Sequence, residues 1–117
     1  MKLVILESPY AGNIQENLEY ARLCVKDSLM RGEAPIASHL LYTQMLDDNK
    51  PEERALGIGA GLAWLPVADM MVAYIDRGWS EGMKSAWLSA QKIGKPQKIR
   101  SIFGFSSRNL LQNTKLR

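Results

Sequence analysis

The chain has 117 residues, 46% of them hydrophobic and 23% charged, with a formal net charge of +3. That is enough chain for one domain with a real core and leaves no room for a second, and the composition is that of a soluble globular protein. No apolar segment approaches the ~18 residues that a membrane span needs, so no membrane association is expected.

In chain order, Lys2-Leu-Val-Ile-Leu6 reads as a buried first strand. No signal peptide is expected, because Met1-Lys2 leads straight into this run. Glu7-Ser-Pro-Tyr-Ala-Gly12 has loop chemistry: Pro9 restricts Ser8, and Gly12 permits a tight backbone. Asn13 with Glu16 three residues later gives a capping-box-like start to a helix over Ile14–Met30. Its expected core stripe is Ile14, Leu18, Ala21, Val25 and Leu29, and Arg31-Gly32 closes it. Cys24, the single cysteine, falls on the apolar side and is read as core; one cysteine excludes an internal disulfide.

Pro35 confines the next element, residues 35–37, to a strand start or an edge strand. Its carboxyl end delivers Ser38, His39 and Tyr42 to the same side as the first loop, and residues 40–48 read as a helical turn or a loop. Asn49 and Pro51, followed by Glu52 and Glu53, open a helix that carries Arg54, Leu56, Ile58, Leu62 and Leu65 and stops at Pro66. Gly57, Gly59 and Gly61 cost that helix roughly 1 kcal/mol each relative to alanine, which points to a close approach by another backbone or a ligand.

The apolar run from Ala68 through Ile75 is the signature of a strand covered on both faces. Asp76-Arg-Gly78 breaks it, and Ser80-Glu-Gly-Met83 starts a helix reaching about Ile93 and ending on Gly94-Lys-Pro96. Residues 97–103 form a fourth strand. The expected fold class is therefore α/β: a small Rossmann-like or flavodoxin-like parallel sheet of four or five strands with helices on both faces, built by residues 1–103. Residues 104–117 are expected as a basic C-terminal tail or short helix. Lys92, Lys95, Lys98, Arg100, Arg108, Lys115 and Arg117 are basic, and no acid follows Glu81. This is read as a solvated end that favours anionic ligands rather than as a nucleic-acid patch.

The junction of strand, polar loop and helix over residues 68–83 is where an open α/β sheet holds its ligands. Ser80 and Gly82 are anion-site candidates through a hydroxyl and backbone N–H groups, or alternatively Ser80 is a plain N-cap. Asp76 is suited to ribose hydroxyls or to capping its own loop. His39, the lone histidine, sits just past a strand end; no second His or Cys accompanies it as a metal ligand. Tyr10, Tyr42 and Trp79 lie on loops, where one ring of the three is read as stacking on a nucleobase. Arg54, after two glutamates, reads as an ion-paired helix residue or a phosphate clamp. Met70, Met71 and Met83 read as core or pocket lining, and Trp64 and Trp87 as core or interface.

Taken together, a first strand ending in Ser8-Pro-Tyr10, the segment Trp64-Leu-x-x-Ala-Asp69-x-x-Val-Ala73, the Ser80-x-Gly82 turn and the closing Gly94-Lys-Pro96 resemble the nucleoside 2-deoxyribosyltransferase superfamily, including its 2-deoxynucleoside 5-monophosphate N-hydrolases. Ser38-His-Leu-Leu-Tyr42, Pro51-Glu-Glu-Arg54 and Gly82-Met83 are similar, more narrowly, to a phage-associated branch. The resemblance implies a site for a nucleotide-derived ligand, with Ser8, Pro9 and Tyr10 beside it, a phosphate at Ser80 and Gly82, no cofactor, and a homo-oligomer in the host cytoplasm. It also implies glycosidic cleavage by a nucleophilic glutamate assisted by a second acid. Counted from the flanking motifs, those two positions fall on Ala86 and Gly61. The expectation is thus a nucleotide-binding protein without turnover that sequesters a nucleotide signal. The alternative is an N-ribosyl hydrolase or transferase that uses Glu81, Asp76 or Glu7.

Overall fold

The computed structural model describes residues 1–104. Four strands form one parallel sheet in the order β2-β1-β3-β4: β1 (Leu3–Glu7), β2 (Ala34–Ile36), β3 (Met70–Tyr74) and β4 (Gln97–Arg100). The helices are α1 (Ile14–Met30), α2 (Ser38–Leu41), α3 (Pro51–Ala63) and α4 (Glu81–Lys92), with a 3₁₀ turn at Tyr42–Gln44 after α2. This is the expected α/β class. Pro35 stands in an edge strand, where its missing N–H costs the sheet nothing.

Alternation along β1 and β3 decides what each face buries. Val4, Leu6, Met70, Val72 and Tyr74 turn to one face and pack with Tyr20 and Cys24 of α1. Ile5, Met71 and Ala73 turn to the other face and meet Met83, Trp87 and Ala90 of α4. β3 lies inside the sheet and is buried at every position, which explains its unbroken apolar run.

Several expectations are corrected. The buried stripe of α1 is Asn17, Tyr20, Ala21, Cys24 and Ser28, while Ile14 and Leu29 are exposed. The helix is rotated from its apolar pattern because the buried Asn17, Tyr20 and Ser28 side chains each find a hydrogen-bond partner. β2 begins one residue earlier than expected. The cap of α3 is Lys50, with Pro51 in the first turn and no side-chain cap, and the helix ends before Pro66, at Ala63. Trp87, read as core or interface, is in the core, its ring edge-on to Trp79 at a centroid distance of 5.3 Å. The fourth strand stops at Arg100, because Ser101, Ile102 and Phe103 turn away to bond Asp76. Of the tail expected over residues 104–117, everything after Gly104 lies outside the described residues. Among the described residues, no helix is long and apolar enough to cross a membrane.

Candidate functional site

A cavity of about 330 Å³ opens over the sheet face that carries Ile5 and Met71, bounded by α2, α3 and the first turns of α4. It is large enough for a drug-sized ligand. Period-two alternation puts Glu7 on the same face as Ile5, and both line the cavity. Ser8, Tyr10, Ser38, His39, Tyr42, Arg54, Ser80, Gly82 and Met83 line it too. The rest of the expected set lies elsewhere: Pro9, Asp76 and Trp79 border a second, shallower crevice between the loops that follow β1 and β3.

The α4 end is built by its cap. Ser80 is extended, and its hydroxyl oxygen accepts from the Met83 N–H at 3.2 Å. The Ser80 N–H in turn donates to the Met83 sulfur at 3.4 Å. The Lys84 N–H goes to the Ser80 carbonyl. The N–H groups of Glu81 and Gly82 are then the open donors of the first turn, set at the positive end of the helix. Gly78, at φ 83°, makes the turn that places Ser80 there.

The β1 end is polar but uncharged. The Ser8 hydroxyl and His39 Nε2 are 2.6 Å apart. Burial holds the His39 imidazole down at about 4, so it is neutral near pH 7. Burial likewise pushes the Glu7 carboxyl up to about 8. Farther out, Trp64 Nε1 donates to the Tyr42 hydroxyl at 3.0 Å, which fixes that ring at the mouth. Arg54 pairs with Asp48 at 2.8 Å.

Two glycines of α3 explain how closely that helix can approach. A Cβ on Gly61 would stand 2.8 Å from Ser38 Oγ, and one on Gly57 would stand 3.3 Å from a Leu46 methyl. Gly59 faces open space. At two of the three positions the close neighbour is thus a side chain of the segment after β2, rather than the other backbone expected. Ala86 and Gly61 both line the cavity.

Two of the three alternative nucleophiles are placed unfavourably. The Glu81 side chain is 93% exposed and pairs with Lys84. The Asp76 carboxylate accepts from Tyr20, Ser101 and the N–H groups of Ile102 and Phe103. Burial raises its pKa, but those bonds outweigh burial and hold the carboxyl below its usual range. Asp76 therefore serves as the anchor of the chain after β4. Glu7 and Glu81 both line the cavity, but only Glu7 does so without an ion-pair partner.

The residues did not disclose Arg77, which crosses the shallower crevice to Asn17 at 2.9 Å and Glu16 at 3.0 Å. Its place in the loop after the central strand was a usable signal. Nor did they disclose Ser85 and Ile58, which line the cavity. Burial pushes the Cys24 thiol up to about 12, which leaves it inert. Among the described residues, no group of three His, Cys, Asp or Glu is placed to hold a metal.

A solved structure of a 2-deoxyribosyltransferase from the psychrotolerant bacterium Bacillus psychrosaccharolyticus is similar to this chain, with a TM-score of 0.65 and 18% identity over 96% of this chain and 80% of that one. At that identity the likeness is one of fold. No curated protein matches the sequence. A family model described as "Domain of unknown function (DUF7768)" matches residues 2–100, nearly the whole described structure, and the chain belongs to that family.

Proposed function

We propose that the cavity binds a nucleotide-derived small molecule and holds it without cleaving it. The observation that carries this reading is that Gly61 and Ala86, the positions to which the resemblance assigns the two acids of glycosidic cleavage, line the cavity without a carboxylate. The open N–H groups of Glu81 and Gly82, with the Ser80 hydroxyl, suit a phosphate. Tyr10 and Tyr42 offer rings to a base, and stacking of this kind contributes about 1–3 kcal/mol per base. The biological role in this proposal is sequestration: a phage-encoded homo-oligomer in the host cytoplasm that removes a nucleotide signal.

Calorimetric titration with mononucleotides, cyclic nucleotides and their parent nucleosides tests binding. Saturable binding, tighter for the phosphorylated forms, is expected; a panel without saturable binding overturns the proposal.

A second reading is favoured by one observation, the Glu7 carboxyl in the cavity. It is N-glycosidic hydrolysis or transfer with Glu7 as the acid. At about 8, Glu7 is protonated near neutrality and would protonate a leaving base rather than attack a sugar. Release of free base from any (deoxy)nucleotide, abolished by Glu7→Gln, is the result this reading requires.

A further inference from the structure

Glu7 lines the cavity, and the reading without cleavage leaves it without a task. It ends β1, and its register partner on β3 is Ala73, whose small side chain leaves the space beside it open. Among the described residues, no group hydrogen-bonds or ion-pairs with its carboxyl. No unpaired buried polar side-chain atom occurs among them either, so the carboxyl oxygens face the cavity rather than being sealed in the core. Ser8 and His39, which line the same cavity, are bonded to each other. Arg54, the cation lining the cavity, is held by Asp48. A carboxyl in such a place is partly desolvated and has no counter-charge, which favours its protonated form.

A protonated carboxyl presents one O–H donor beside one C=O acceptor, whereas an ionised one only accepts. A nucleobase edge carries an acceptor beside a donor. A phosphate carries acceptors only and is served by the N–H groups at the start of α4. We infer that Glu7 is the specificity-determining residue of this cavity: as a neutral acid it donates to the base of the ligand, so the base lies over the end of β1 and the phosphate over the start of α4. This rests on the nucleotide-binding reading.

One consequence is a pH-dependent affinity, since an ionised Glu7 loses the donor and faces the base acceptor with charge. The titratable and charged groups that share the cavity are Tyr10 from the loop after β1, His39 from α2, Tyr42 from the 3₁₀ turn, Asp48 and Glu53 with Arg54 around α3, and Glu81 from α4. His39 titrates near 4, well below the window in which Glu7 changes charge.

The test is calorimetry of the full chain with AMP and CMP and their nucleosides between pH 7 and 9.5, a range above the second phosphate ionisation in which neither base titrates. For the best-bound pair, Kd is expected to rise by about 30-fold across that range, for the nucleoside as for the nucleotide. Glu7→Gln keeps a donor and an acceptor without a titrating proton; its Kd is expected to stay within about threefold of wild type at pH 7 and to be flat with pH. Ser80→Ala is expected to weaken the nucleotide but not the nucleoside, and to leave the pH slope unchanged. A flat wild-type profile, or a slope that survives in Glu7→Gln, overturns the inference while leaving nucleotide binding intact. Absence of binding by wild type at pH 7 overturns both.

Discussion

Glu7 and His39 are held in the charge states that burial dictates, and both therefore link stability to pH. The folded Glu7 holds its proton up to about 8, against 4.5 in an unfolded chain. Its contribution is fully present below 4.5 and is lost as pH rises through about 8. His39 is held at about 4 against 6.5, so the unfolded state takes the proton first as pH falls, and stability is lost from 6.5 down to about 4. Urea unfolding at pH 6 and pH 9 separates the first effect: Glu7→Gln is expected to gain on wild type at pH 9 relative to pH 6. An equal difference at the two pH values would contradict the placement of Glu7. That placement was partly legible in the sequence, because Glu7 is two residues beyond Ile5 in a strand. What the sequence lacked was the knowledge that Ile5 faces the cavity rather than α1.

At the scale of elements, α3 is the informative piece. No residue of it is buried, yet it forms one wall of the cavity and approaches Ser38 through Gly61. Its three glycines were read from the sequence as a sign of close approach, and their unequal surroundings make a contrast. Gly59→Ala, facing open space, is expected to stabilise the protein by up to about 1 kcal/mol. Gly61→Ala, 2.8 Å from Ser38 Oγ, is expected to cost about 1–3 kcal/mol through overpacking. Thermal unfolding of the two variants checks this, and equal shifts would mean that α3 does not lie against Ser38. The start of α4 was legible because a capping serine after a glycine turn is a local signal. The rotation of α1 was not, because it depends on partners such as Asp76 that lie 56 residues from Tyr20 in the chain.

Across the whole molecule, one buried pair joins the two edges of the sheet. Arg100 at the end of β4 makes two hydrogen bonds, of 2.7 and 2.6 Å, to Glu33 before β2, and Ser28 and Tyr74 complete the network. Arg100 holds Glu33 down at about 2, so this stability is lost as pH falls from 4.5 towards 2. Arg100→Met leaves Glu33 buried without its partner and is expected to cost about 3–5 kcal/mol in urea unfolding at pH 7, with the deficit narrowing below pH 4. No local signal announces this pair, since 67 residues separate its members. The parallel sheet with helices on both faces followed from alternating strands and helices, whose signals are local, whereas the strand order β2-β1-β3-β4 did not. At this scale the central claim is that the cavity keeps a nucleotide-derived ligand whole. Its most direct measurement is to incubate the protein with the best-bound nucleotide, release the ligand by heat denaturation and weigh it by mass spectrometry. Recovery of the intact nucleotide at the stoichiometry bound is the predicted result; free base in its place would contradict the claim.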